Sequence, residues 1–204
     1  LVMPGDVLGY VTEEAAQATG LPVGTPVVAT SNDKAVEGLG TGCMGDSTVC
    51  ISLGTYTSAM MEGKENLKGT SYAWPKFSCM PNKYLYDSNG IRRGMWTVSW
   101  YRDILGEGYA KLAAEQGMSP EEALGKEAEQ VPVGSDGLMT VLNWLANVDA
   151  RYQKGIMIGF DGRHTRGHIY RSILEAVAMT MKGHVTDMCN EVNAKMDKLI
   201  ITGG

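Results

Sequence analysis

Gly155-Ile156-Met157-Ile158-Gly159-Phe160, followed after seven residues by His168-Ile169-Tyr170-Arg171-Ser172-Ile173-Leu174-Glu175, is the stretch on which the reading of this chain turns. The first piece is a short apolar run bounded by glycines and predicts a strand. From the second onward, Ile169, Ile173, Val177, Met181, Val185, Met188 and Val192 recur at three or four residues, which is the apolar face of one long helix. Leu199-Ile200-Ile201 then predicts a buried strand that ends in Thr202-Gly203-Gly204. Strand, helix and strand in this order describe an α/β protein.

Working outward, Asp136-Gly137 turns the chain into the apolar run Leu138 to Leu145. Ser119-Pro120-Glu121-Glu122 is a capping box with proline at the first helical position, so a helix runs from there to about Gln130. Met95 to Leu105 reads as a helix, and residues 63–90 as strands and loops. Ser47 to Leu53 and Ser58 to Met61 form two strands around a Gly54-Thr55-Tyr56-Thr57 turn. Near the start, Thr12-Glu13-Glu14 opens a short helix that Gly20 stops. Leu21 to Pro26 is a connector, and Val27 to Thr30 is a short buried strand leading into Ser31-Asn32-Asp33, where the chain turns helical to Gly38.

Composition narrows the function classes. With 44% hydrophobic and 20% charged residues the 204-residue chain is neither disordered nor collagen-like. Its net charge of −5 offers no basic field to a nucleic acid or to an anionic membrane surface. No window approaches the roughly 20 consecutive apolar residues of a membrane span, and Leu1 to Tyr10 lacks the layout of a secretory signal. The expected location is cytoplasmic. Cys43, Cys50, Cys79 and Cys189 form no C-x-x-C pair and are expected as reduced thiols. Glycine reaches 26 residues, many at the ends of predicted strands and helices, which suits backbone-lined ligand loops. The chain begins without Met and stops directly after a strand-like run, so a fragment of a longer protein is expected.

Asp33 follows a buried strand and opens a helix, a place where α/β proteins put reacting groups. The helix dipole there favours the ionised form, able to take a proton from a hydroxyl. The same position equally suits a plain helix cap. Gly54-Thr55 at a strand-to-strand turn offers backbone N–H groups and a hydroxyl to phosphate oxygens, or is an ordinary turn. The strand ending in Gly203-Gly204 has the same two readings. His164 and His168 are spaced like metal ligands, but Gly167 lies between them and no third ligand is evident, so no metal site is assigned. Met181, Met188 and Met196 follow the helix face as core filler, and Trp96, Trp100 and Tyr101 are expected to pack a helix against its sheet.

In this order the pieces resemble the FGGY family of carbohydrate kinases. The segment Thr19-Gly20-Leu21-Pro22-Val23-Gly24-Thr25-Pro26-Val27-Val28 before Asp33, with Gly38, Gly40 and Gly42 after it, matches the surroundings of the family's catalytic aspartate. Ile51-Ser52-Leu53-Gly54-Thr55 matches its phosphate-binding strand and turn, with Tyr56 where Ser or Gly is commoner. Trp100-Tyr101-Arg102-Asp103 matches the end of a glycine-rich nucleotide segment, of which Gly94 remains with Met95 beside it. The Gly155-to-Glu175 stretch matches the second family signature, with Phe160 in place of a smaller aliphatic residue. Leu199 to Gly204 matches the opening of the adenosine-binding Gly-Gly motif.

The resemblance implies an α/β, actin-like (ribonuclease-H-like) ATPase fold, incomplete here. Residues 1–45 correspond to the end of the N-terminal sugar-binding domain and 46–204 to a truncated C-terminal nucleotide-binding domain. It implies ATP and Mg2+ as cofactors and a sugar or polyol as substrate, a pentulose being favoured. Asp33 is then the catalytic base, and Gly54, Thr55, Gly94, Gly203 and Gly204 bind the nucleotide. A homodimer is left open. By the same resemblance the N-terminal phosphate motif and most of the sugar-binding domain are missing, so the fragment alone is expected to be inactive. The rivals are a non-catalytic actin-like nucleotide-binding regulator and, from Tyr56 and Met95, a pseudokinase.

Overall fold

Helix ends form where the side chains can satisfy orphaned backbone groups. In this computed structural model, which describes residues 2–203, the chain runs through strand β1 (Val7–Tyr10), helix α1 (Glu13–Thr19), β2 (Pro26–Val28), α2 (Asp33–Gly40), β3 (Thr48–Leu53), β4 (Thr57–Gly63), β5 (Ala73–Phe77) and β6 (Tyr84–Ser88). It continues through α3 (Gly94–Glu115), α4 (Pro120–Glu129), β7 (Met139–Val141), β8 (Ile156–Ile158), α5 (Arg166–Glu191) and β9 (Lys198–Thr202). The Thr12 hydroxyl accepts the Ala15 amide at the start of α1, and Gly20 closes it in the left-handed conformation, φ 77°. Ser119 and Glu122 form the capping box of α4 in both directions.

Among the described residues three sheets result: β1-β2, β7-β8, and a five-stranded sheet in the order β5-β6-β4-β3-β9. The fold class is α/β. The backbone gathers into two compact units, one of Leu1–Cys50, Met60–Asp87 and Cys189–Ile200, the other of Ile51–Ala59, Ser88–Met188 and Ile201–Gly204.

In the first unit, Ala35 of α2, Cys43, Cys50 of β3, Met60 of β4 and Leu85 of β6 make a buried cluster with Cys79 and Ile200 against it. Full burial of a side chain such as Met60 contributes about 1.5–3 kcal/mol. The antiparallel register pairs Met60 with Asp87 and Glu62 with Leu85. Among the described residues of this unit the carboxylates of Glu62 and Asp87 are nearly buried, and both are paired as desolvation demands. Asp87 takes Lys34 Nζ at 3.0 Å and Lys76 Nζ at 2.6 Å, while Glu62 takes Lys83 Nζ at 2.6 Å and the Gly45 amide at 3.0 Å. Glu191, at the end of α5, accepts three successive amides, Ser71, Tyr72 and Ala73, at 2.7–2.8 Å. All four cysteines are free thiols. Hydrogen bonding with Cys43 and Thr41 lowers the Cys50 thiol to about 7, whereas the Cys50 partner and burial push Cys43 up.

The second unit has its core between α3, α4 and α5: Val98, Tyr101, Tyr109, Ala113, Leu124, Tyr170 and Ile173 pack together. The periodic face of α5 is buried at Ile173, Val177, Met181, Val185 and Met188, and Ile169 and Val192 lie half-buried at its ends. Thr140 of β7 and Ser172 of α5 share a buried hydroxyl–hydroxyl bond of 2.8 Å. Glu127 ties α4 to α5 through Arg166 Nε at 2.7 Å and to α3 through the Tyr109 hydroxyl at 3.1 Å.

Several expectations need correction. The strand at 26–28 forms but is exposed along its length, because it pairs only with β1, a strand the sequence reading left out, in a two-stranded sheet. β9 forms too, yet Leu199 and Ile201 are 46% and 61% exposed, since β9 is the sheet's edge strand. β8 is also largely exposed, and Phe160 lies beyond its end rather than inside a buried strand, 54% exposed. The apolar run Leu138 to Leu145 yields a strand only at Met139–Val141. The helix expected at Met95–Leu105 breaks at Gly106, φ 74°, as a glycine allows, but a second helical segment continues to Glu115. Met196 falls after α5 and is exposed, unlike Met181 and Met188.

Candidate functional site

In the first unit, the turn into α2 separates two jobs that the sequence left on one residue. Asn32, not Asp33, is the N-cap: its side chain accepts the Ala35 amide at 3.1 Å. Asp33 is the first helical residue, exposed, its Oδ1 accepting the adjacent Lys34 amide at 2.9 Å. The plain capping role is thus filled by its neighbour. Lys34, the next residue, carries the ion pair to Asp87 described above, which ties the first turn of α2 to β6. Sequence reasoning missed Asp87; an acidic residue inside the alternating Tyr84–Ser88 run was the available signal.

In the second unit, four expected residues converge at the end of β3. Gly94 donates its amide to the Thr55 carbonyl at 2.9 Å, and Met95 donates to the Gly54 carbonyl at 3.2 Å, so the N-terminus of α3 sits directly on the turn. Gly203 follows β9 at φ 111°, and a Cβ there would lie 2.6 Å from the Leu53 carbonyl oxygen. Gly54, Thr55, Gly94 and Gly203 therefore form one group; Gly204 lies outside the described residues. Thr57, fully buried, fastens the group: its hydroxyl donates to the Gly54 carbonyl at 3.0 Å, and it exchanges two backbone bonds with Ile91 at 2.7 and 3.1 Å. Sequence reasoning missed it because a threonine in a strand after a turn carries no distinguishing mark.

The glycines differ in what they are for. At Gly94 a Cβ would collide with the Thr57 hydroxyl, and at Gly203 with the Leu53 backbone, so both are demanded by the packing of the chain on itself. At Gly54 the nearest atom to a Cβ is the Tyr56 carbonyl oxygen at 3.5 Å, an ordinary contact, so the chain's own packing does not require glycine there. Tyr56 places its ring against Gly90, where a Cβ would meet it.

The other candidates act as structure. His164 Nδ1 accepts the Asp161 amide at 2.8 Å, and His168 bonds Thr165 through Nδ1 and Asp136 through Nε2 at 3.2 Å. The two rings meet edge to face at 5.3 Å. Among the described residues no group of three or more His, Cys, Asp or Glu side chains is arranged to hold a metal. Trp100 packs edge-on against Trp144 at 4.9 Å, Tyr101 is buried with its hydroxyl donating to the Arg166 carbonyl, and Trp96 carries the Arg93 guanidinium 4.0 Å above its ring. Among the described residues no helix is long and apolar enough to cross a membrane.

Residues 49–204 match the C-terminal domain of the FGGY family of carbohydrate kinases. The chain belongs to that family. An Escherichia coli (strain K12) protein described as an uncharacterized sugar kinase, YgcE, is 53% identical over 202 residues, which are 99% of this chain and 41% of the relative. Xylulose kinase from Rhodospirillum rubrum superposes with a TM-score of 0.71 at 28% identity, over 93% of this chain and 37% of that one. Plasmodium falciparum glycerol kinase, solved with ADP, superposes with a TM-score of 0.75 at 19% identity, over 99% and 39%. This FGGY chain thus has the actin-like ATPase fold and spans about 40% of the length of the relatives it matches.

Proposed function

We propose that the intact parent of this chain is an ATP-dependent kinase that phosphorylates a hydroxyl of a sugar or polyol, with Mg2+ accompanying the nucleotide. Membership of the FGGY family supports the class, and one observation carries the assignment to residues: Asp33 is exposed at the first position of α2 while Asn32 does the capping. In this reading Asp33 accepts the substrate hydroxyl's proton as the oxygen attacks the γ-phosphoryl group. Gly54 and Thr55 face the phosphates, and the bare Cα of Gly54, which internal packing does not require, is left for a phosphate to approach. Gly94 and Gly203 shape that turn from behind, and Gly204 continues toward the adenosine. Residues 1–45 are assigned to the end of the sugar-binding domain and 46–204 to the nucleotide-binding domain. Similarity to a xylulose kinase favours a pentulose as substrate.

Phosphoryl transfer rests on placement and charge rather than on covalent chemistry by the protein. ATP would supply the phosphoryl group and the metal would neutralise its charge; this chain's part is to hold a base at the hydroxyl and amides at the phosphates. The test is a panel of sugars and polyols with the intact parent and ATP, following ADP release, with Asp33→Asn beside it. The variant is expected to lose about 10²–10⁴-fold in kcat while keeping ATP affinity. An unchanged rate rejects the assignment. A pseudokinase is the second reading, favoured by the Tyr56 ring filling the space beside Gly90; absence of Mg-ATP binding in calorimetric titration of the parent would establish it.

A further inference from the structure

Within the second unit a cavity of about 370 Å³ opens beside the segment that leads into α3, inside the range of about 300–1,000 Å³ usual for ligand pockets. Its wall at Ile91 is tied to Thr57 by the two backbone bonds given above. Among the described residues Arg92 is the one side chain of permanent charge that lines it, and no carboxylate does. The guanidinium is fixed by a bond of 2.6 Å from Nη1 to the Ala146 carbonyl. That bond uses one of five N–H donors in a rigid fork.

His184 lines the same cavity, and its Nδ1 is buried without a hydrogen-bond partner among the described residues. Burial holds the imidazole below its ordinary range, outweighing a hydrogen bond to the Asn89 backbone and the nearby Asp187 carboxylate. Since Nδ1 is the partnerless atom, the bond to Asn89 is made through Nε2, and Nδ1 presents a lone pair. Asn143, Asn147 and Thr180 add further donors and acceptors, and Leu145 an apolar wall.

We propose that this cavity binds a small polyhydroxylated anion, whose carboxylate or phosphate is taken by Arg92 and whose hydroxyls bond Asn143, Asn147 and Thr180. The Arg92 guanidinium, with one of its five donors used, selects an anion over a neutral sugar or an amine. The proposal concerns binding and stands without the kinase reading.

Calorimetric titration of the intact parent, without nucleotide, tests it with D-gluconate, D-glucose 6-phosphate and the uncharged sorbitol. Arg92→Gln is expected to weaken the anion that binds by about tenfold or more, the worth of a charge-assisted bond, and to leave sorbitol as it was. Thr180→Leu, which fills the cavity without touching the Arg92–Ala146 bond, is expected to weaken it too and carries the test if Arg92→Gln does not fold. Gluconate alone binding in this way assigns the carboxylate, and glucose 6-phosphate alone the phosphate. Anion affinities unchanged in both variants, all three probes weakened alike, or neither anion bound at millimolar concentration overturns the proposal. Phosphoryl transfer, assayed separately, decides the kinase reading: anion binding lost at Arg92 in a parent without transfer upholds the site alone, and transfer with anion binding indifferent to both variants upholds the kinase alone.

Discussion

At Gly203 the backbone holds φ 111° and leaves no room for a methyl group against Leu53, so Gly203→Ala meets strain and collision together. Each contributes about 1–3 kcal/mol, and urea unfolding of the parent should show a loss of at least that size. Asp87 poses the opposite problem. Its side chain, 7% exposed, neutralises Lys34 and Lys76, and Asp87→Ala leaves two ammonium groups facing a site without its carboxylate. About 3 kcal/mol should be lost, at the low end for buried pairs because the Lys76 side chain is 40% exposed. His184 supplies a pH dependence. Its folded-state pKa lies below the ordinary 6.5, so on acidification the unfolded chain takes up the proton first. Stability is therefore whole above about pH 6.5 and falls as the pH drops below it. Urea midpoints followed from neutral pH into the acid range should show this slope, and His184→Asn should flatten it.

At the scale of single elements, structure that rests on local chemistry forms where neighbouring residues specify it. The Ser119–Glu122 box starts α4 where four residues of sequence placed it, and Ser119→Ala should cost about 1 kcal/mol in thermal or urea unfolding. The long face of α5 is buried as its spacing requires. Burial of strands was less legible. Val27, Leu199 and Ile201 are apolar and β-prone, which predicts a strand but not how many neighbours cover it; each lies in a strand with one partner, and each is exposed. Contacts distant in sequence were illegible altogether. Glu191 reaches the amides of Ser71 to Ala73 across more than a hundred residues, and these bonds hold its carboxyl below the usual range. Glu191→Ala should leave α5 intact and speed hydrogen exchange at those three amides several-fold; unchanged exchange would mean that the start of β5 is ordered without it.

For the whole molecule, the chain spans about 40% of its relatives' length, and transfer of a phosphoryl group needs both substrates enclosed and aligned. The isolated 204-residue chain is therefore expected to give no sugar-dependent ADP release where the intact parent does. What the sequence determined by itself was the α/β class, the family and the start of elements such as α4 and the long face of α5, because caps, periodicity and glycine-bearing motifs are written in neighbouring residues. Only the tertiary structure decided that Asn32 relieves Asp33 of capping, that Gly94 and Gly203 serve packing whereas Gly54 does not, and that Arg92 shares a cavity with His184. The cap turns on which of two adjacent side chains meets the Ala35 amide. The clashes at Gly94 and Gly203 and the shared cavity depend on residues far apart along the chain, whose distances are set by how elements pack, which no local pattern records.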